Sequence, residues 1–299
     1  MDLGKKSYGR PPVTGSADLN RIIALPRRDI GAEYTADLIA GLEAELRLSP
    51  KEVRCICAKQ NRPCPTSLKP IQALALAEAA RAGGLVGPIG AGHGKTLIDL
   101  LLPMVVPGCK KAVLLIPANL RTQLLERDWD YYGGHWRLPN LVGGRWYPPD
   151  PRPAIDVLTY TKLQQMTATV LLESIKPDLI ICDEAHNLKA AKGPRCTRFR
   201  QYLAKNPTTR LCVMSGTMAT RSIHDYSHLS EFALGESSPL PHHAPSLDEW
   251  ANAIDPCDCP AVKNPEVKCQ CRAHPGALLR LCRDGEDVRE GFRRRRTAA

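Results

Sequence analysis

The residues of this chain best suited to chemistry are Gly92-His-Gly-Lys-Thr96 and Asp183-Glu184-Ala-His186. In the first run, glycines let backbone N–H groups turn toward an anion, and a helix starting at the lysine adds the positive end of its dipole. Lys95 suits the β- and γ-phosphates of a nucleotide, and the Thr96 hydroxyl suits Mg²⁺, which together make a phosphate-binding loop. The strict eight-residue pattern wants glycine where this chain has Ile89, but its later half is intact. In the second run, an aspartate closes the apolar stretch Leu179-Ile-Ile-Cys182. A carboxylate there can hold Mg²⁺ through water, and the neighbouring glutamate can orient or deprotonate an attacking water. His186 reads as the link from that site to the rest of the molecule. The chemistry expected is hydrolysis of a nucleoside triphosphate. Lys95, Asp183, Glu184 and His186 are its catalytic set, Gly92, His93, Gly94, Lys95 and Thr96 its phosphate cradle, and Thr96 and Asp183 its Mg²⁺ ligands.

Elements that could position these groups are visible as alternating short apolar runs and helical stretches. Leu85-Val86 feeds the glycine-rich loop, Ala112–Ile116 and Ile155–Leu158 follow as strands, Leu179–Cys182 leads into Asp183, and Leu211–Met214 leads into Ser215-Gly216-Thr217. Between them, Leu97–Leu102, Leu120–Arg127, Leu163–Ile175 and Arg198–Leu203 read as helices. Upstream, Ile71–Arg81 is a helix with Pro70 at its first position and Gly83-Gly84 at its end. Leu38, Ile39, Leu42 and Leu46 share one helical face. Near-continuous apolar strands alternating with helices predict an α/β fold, a parallel sheet sandwiched by helices. Ligands of such sheets sit at the carboxyl ends of the strands, where the polar motifs fall.

The ordered motifs resemble the superfamily 2 helicases, and within them the DEAH-box, Swi/Snf-like DNA translocases, including helicase-like proteins of bacteriophages. Lys69-Pro-Ile-Gln72 is similar to the upstream glutamine motif, which implies that Gln72 contacts adenine. Gly92–Thr96 resembles motif I. Leu115-Ile-Pro-Ala-Asn-Leu120 resembles motif Ia and Leu158-Thr-Tyr-Thr161 the next motif on that surface, which implies a nucleic-acid track using Pro117, Asn119, Arg121, Thr159 and Tyr160. Asp183–His186 resembles motif II. Ser215, Gly216 and Thr217 resemble motif III, which implies coupling between nucleotide state and nucleic-acid binding. The resemblance covers about half the chain and implies a RecA-like P-loop NTPase domain that binds ATP and Mg²⁺. It divides the chain into an accessory segment (1–68), a RecA-like ATP-binding domain (69–235) and a Pro/Cys-rich extension with a basic tail (236–299). Helicases of this class close their ATP site with a second RecA-like domain. No second set of motifs follows Thr217, so the expectation is one half of a motor whose other half comes from a longer or separate chain. A non-motor module that binds nucleic acid or a partner protein is the alternative.

Net charge +10 and a pI near 9.1 suit a polyanionic partner, nucleic acid first, and the resemblance implies DNA. The N-terminus has no apolar segment behind its charges, and Leu97–Val106 is interrupted by Asp99 and Pro103. The expectation is a soluble protein of the cytoplasm, in a bacterial or phage-infected host cell, with no membrane partner. In that compartment twelve cysteines favour thiols or metal ligands over disulfides. Cys257, Cys259, Cys269 and Cys271 form two Cys-x-Cys pairs that could hold Zn²⁺, at a spacing unlike common structural sites. Cys55, Cys57 and Cys64 could supply another partial set or join the first; free thiols are the simpler reading. Trp129, Tyr131, Tyr132, Trp136, Trp146 and Tyr147 lie among arginines and could stack on bases, but core packing is the simpler account. Arg293–Arg296 reads as a solvated basic run.

Overall fold

The computed structural model describes residues 17–25, 35–145, 151–165, 168–189, 191, 193–218 and 222–254. Cys257, Cys259, Cys269, Cys271, Trp146, Tyr147 and Arg293–Arg296 lie outside these residues. In chain order the helices are α1 (Ala17–Ala24), α2 (Ala36–Leu46), α3 (Pro70–Ala82), α4 (Lys95–Val105), α5 (Ala118–Gln123), α6 (Trp129–Gly133), α7 (Tyr160–Gln164), α8 (Ala168–Ile175), α9 (Pro194–Lys205), α10 (Ser227–Leu234) and α11 (Ala244–Ile254). The strands are β1 (Leu85–Gly87), β2 (Lys111–Ile116), β3 (Asn140–Leu141), β4 (Ala154–Thr159), β5 (Leu179–Asp183) and β6 (Arg210–Met214).

All six strands are parallel, in the order β1-β6-β5-β2-β4-β3. The interior strands have sequences that can be buried on both faces. Ala112–Ile116 of β2 and every residue of β5 are buried, which leaves no polar side for solvent. The result is the parallel sheet with helices expected from the alternation of runs, of the RecA-like kind that the resemblance implied. Five of the six strands match the apolar runs of the sequence; the sixth, β3, has only two residues and leaves too short a pattern to see. Register places Gly87 and Asp183 each opposite Met214, and Ile116 opposite Thr159. The loops that leave these strands therefore emerge along one edge of the sheet.

Helix boundaries show where local chemistry decides. Pro70 opens α3, and Gly83, at φ +71°, closes it by donating its N–H to the Ala79 carbonyl. The predicted helix over Leu163–Ile175 is two helices, because Gln165 is extended after α7. The predicted helix at Leu120–Arg127 is longer: α5 runs through a π turn at Leu124–Asp128 into α6. That turn carries Trp129 into the core, where it is fully buried beside Trp136 in the same apolar cluster. With Tyr131 also buried, these aromatics are core rather than a base-stacking platform.

Two compact units are present. Residues 35–218 with 232–234 form the one that holds the sheet. Residues 17–25, 222–231 and 235–254 belong to the other. Within that second unit Arg21 organises the chain: its guanidinium donates to the carbonyls of Glu236, Ser238 and Leu240 at 2.6–2.8 Å and pairs with Asp18 at 3.0 Å. Asp18 in turn accepts the His243 N–H. Among the described residues no helix is long and apolar enough to cross a membrane.

Candidate active site

The glycine-rich loop joins β1 to α4 and is shaped by two left-handed glycines, Gly92 and Gly94, both at φ +78°. Gly94 is the N-cap of α4, so Lys95 and Thr96 stand on the first turn, where helix N–H groups have no partner within the helix. The loop is braced from α3. Gln72 is buried; its amide oxygen accepts the Lys69 N–H at 2.8 Å and its amide nitrogen donates to the Gly94 carbonyl at 3.0 Å. The Lys69 ammonium donates to the Gly92 carbonyl at 2.9 Å. Gln72 was expected to meet adenine. Here both ends of its amide are taken up in bracing the loop. A methyl group at Gly94 would lie 2.4 Å from Gln72 Nε2 on a backbone that L-residues resist. We expect Gly94→Ala to lose about 1–2 kcal/mol of stability and at least about tenfold in nucleotide affinity, read by denaturant melts and nucleotide titration. Parent-like values in both would mean the loop is not held this way.

Opposite the loop, Asp183 ends β5 and Glu184 turns the chain at φ +53°, a rare conformation for a non-glycine residue and one found where side chains must be aimed. Glu184 is held at both oxygens. Oε1 pairs with Lys95 at 3.1 Å, while Oε2 accepts the Ser215 hydroxyl at 3.1 Å and faces His186 Nδ1 at 3.2 Å. His186 Nδ1 also lies 3.0 Å from the Ser215 hydroxyl and 3.4 Å from that of Thr217. Ser215 Oγ accepts the Thr217 N–H, and the Ser215 N–H donates to the Gly87 carbonyl. Gly216 packs so close to the Gly90 backbone that an added methyl would lie 3.3 Å from it. The end of β6 is thus bonded to the start of the phosphate loop and to both functional residues after β5.

Electrostatics single out a residue that sequence reading passed over. Asp99 lies one turn after Lys95 on α4, is fully buried, and its Oδ1 has no hydrogen-bond partner. Burial pushes its carboxyl well above the ordinary range, and the nearby charge of Asp183 pushes the same way. Burial also raises Asp183 to about 6, reinforced by Glu184 and opposed by Lys95. The available signal was an acid inside an apolar helix, four positions after the loop lysine. The Asp183 carboxyl, at the end of β5, and the Thr96 hydroxyl, on the first turn of α4, are oxygen donors of the kind Mg²⁺ takes.

The other expected residues fall into two groups. Pro117, Asn119 and Thr159 emerge side by side, because Ile116 and Thr159 are register partners; Asn119 is exposed. Arg121 is exposed too, with its Nε donating to the Val157 carbonyl. Tyr160 turns inward: it is buried, and its hydroxyl donates to the Asp183 carbonyl at 2.7 Å. Its place is under the turn at Asp183 and Glu184 rather than on an exposed track. His93 is exposed on the loop.

A model of the DEAD/DEAH box helicase family matches residues 69–226. No curated protein matches the sequence. Among solved structures, the chain is similar to the UvsW helicase from bacteriophage T4, at 16% identity and a TM-score of 0.45, covering 70% of this chain and 68% of that one. A second T4 UvsW structure matches at 17% identity and a TM-score of 0.37, over 52% of this chain and 32% of that one. A structure of S. cerevisiae Dbp5 bound to Gle1 and IP6 matches at 18% identity and a TM-score of 0.38, over 71% of this chain and 51% of that one. The chain therefore spans about a third and about half of the last two.

Proposed function

Because this chain belongs to the DEAD/DEAH box helicase family, we propose that it is the ATP-binding motor domain of a nucleic-acid-dependent ATPase, of the translocase or helicase type, acting on DNA. The observation that carries the reading is a network of 3.0–3.2 Å contacts in which Glu184 meets Lys95, His186 and Ser215, and His186 meets Ser215. It joins the loop that would hold the phosphates, the carboxylate that would handle water, and the segment after β6.

In this mechanism the backbone N–H groups of Gly92–Thr96 and the Lys95 ammonium bind the triphosphate. Thr96 and Asp183 would hold Mg²⁺, which neutralises phosphate charge when bound. Glu184 orients the attacking water and takes its proton at a carboxylate oxygen. Gln72 and Lys69 hold the loop in shape. Ser215 and His186 hold Glu184 and pass its position on through Thr217. Pro117, Asn119, Arg121 and Thr159 form the backbone track for the polymer. The net charge of +10 favours a polyanion in general, and the likeness to Swi/Snf-like motifs supports DNA. We propose further that a second RecA-like domain, in a longer chain or a partner, supplies the opposite wall and an arginine for the transferring phosphate. Such a group adds about 10³–10⁵ in rate.

ATP turnover measured with single-stranded DNA, double-stranded DNA and RNA, with the Lys95→Ala chain as the blank, tests the reading. Saturable ATP binding, and turnover that rises with DNA once the second domain is present, are expected. Turnover indifferent to every polymer, with ATP bound, would leave a P-loop NTPase without a nucleic-acid role.

A further inference from the structure

No sequence pattern connects Cys55, Cys57 and Cys64 with His135, which follows Cys57 by 78 positions; the fold does. One ligand atom from each of the four lies within 4.8 Å of all the others. Cys55 Sγ and Cys64 Sγ are 3.5 Å apart, and Cys57 Sγ is 3.4 Å from His135 Nε2. A tetrahedral zinc with bonds of about 2.3 Å to sulfur and 2.0–2.1 Å to nitrogen separates its ligand atoms by about 3.5–3.8 Å. A disulfide needs about 2.05 Å between sulfurs. The observed spacings therefore suit ligands around a common ion.

We propose that Cys55, Cys57, Cys64 and His135 form a structural Zn²⁺ site of the Cys₃His type. Chemistry agrees with geometry: soft thiolates and an imidazole select zinc over the Mg²⁺ that suits the oxygen donors at the nucleotide site. Both walls of the site are fixed independently of any ion. On the backbone, the Leu48 N–H donates to the His135 carbonyl, the Arg54 N–H to Gly134, and Arg47 forms a β-bridge with Trp136. From side chains, Tyr131 donates to the Pro63 carbonyl at 2.6 Å and Trp136 to Pro65 at 2.7 Å. Arg62 pairs with Asp128 at 2.7 Å and stacks 3.6 Å over the Tyr131 ring. Cys57 and His135 are buried while Cys55 and Cys64 face outward, so the ion would seal the rim of a pre-formed corner.

The place of the site gives it a use. The cysteine segment leads directly into Leu68 and Lys69, where Leu68 N–H is already held by Glu43 and Lys69 begins the brace of the phosphate loop. Zinc would clamp the entry to α3 onto the helical segment that ends in α6, and so hold Gln72 and Lys69 in place.

The test is metal analysis of the full chain purified under reducing conditions, with Co²⁺ replacement followed by absorption. One zinc per chain is expected, and cobalt should give a thiolate charge-transfer band with tetrahedral visible bands. His135→Ala and the outward-facing Cys55→Ser should each lower cobalt affinity at least a hundredfold. His135→Cys should keep the metal and shift the spectrum toward four thiolates, which a merely unfolded corner could not do. A chain with serine at Cys257, Cys259, Cys269 and Cys271 should retain its zinc. Metal lost from that chain but kept by His135→Ala and Cys55→Ser would overturn the proposal, as would a metal-free native chain or a Cys55–Cys64 disulfide found by mass spectrometry. None of these readouts depends on ATP turnover, so the site can fail while the motor reading stands.

Discussion

Replacing Glu184 by glutamine is expected to lower kcat for ATP by about 10²–10⁴ while leaving ATP affinity within a few-fold, the range set by a positioned general base. The size of the effect follows from how completely this side chain is positioned. Glu184 stands on a left-handed turn, with one oxygen on Lys95 and the other shared by Ser215 and His186. Glutamine preserves the shape and can still accept from Ser215, but it cannot take a proton from water. It also loses the ion pair with Lys95. Phosphate oxygens compete for that same ammonium, so removing the carboxylate leaves nucleotide binding intact or slightly tighter. Separate measurement of binding and single-turnover hydrolysis on parent and variant distinguishes this from a loss of fold. Hydrolysis within threefold of the parent would assign the water to another group. Ser215→Ala should produce a smaller defect of the same kind, since it removes one of the two holds on Oε2.

The frame was legible in the sequence because it depends on local pattern. A strand buried on both faces must be apolar along its length, so β2 and β5 announce themselves, and a motif following such a strand lies at the carboxyl edge of the sheet. What the sequence concealed depends on partners distant in the chain. Nothing near Gln72 says that its amide will be divided between Lys69 and Gly94. Nothing near Tyr160 says that its hydroxyl will find the Asp183 carbonyl; an exposed tyrosine and a buried one look alike at the end of a strand. His135 carries no pattern at all until the fold sets it beside Cys57. Asp99 lies between these cases. An acid amid Leu97–Val106 interrupts an apolar helix, and its distance of one turn from Lys95 placed it on the side of the site. The break at Gln165 and the π turn at Leu124–Asp128 likewise come from packing, because both stretches keep helical spacing across them.

Asp183→Asn should sharply lower turnover and yet make the metal-free protein more stable at pH 8, and the two effects have one cause. The Asp183 carboxyl is buried at the end of β5 and raised to about 6 from an ordinary value of 3.8. A folded-state value above the unfolded one means that the fold favours the neutral acid. The stability this group contributes is therefore complete below pH 4 and is lost as pH rises through about 6. The charged form at pH 8 lowers stability by up to about 3 kcal/mol, from 1.36 kcal/mol per unit. Asparagine removes that charge and keeps an oxygen for the Glu184 N–H, which Oδ1 accepts at 2.9 Å. In metal-free buffer the variant should melt up to about 6–12 °C above the parent at pH 8, using about 2–4 °C per kcal/mol for a domain of this size. At pH 4 the two should nearly coincide. Mg²⁺ and nucleotide should reverse the order at pH 8, because the carboxylate that destabilises the protein alone is the group offered to the cation. Turnover should fall about 10³-fold in the variant, as when a charge-stabilising group is removed from an active site. A melting gap that shrinks from pH 4 to pH 8 would show that Asp183 is held as the anion by the protein itself.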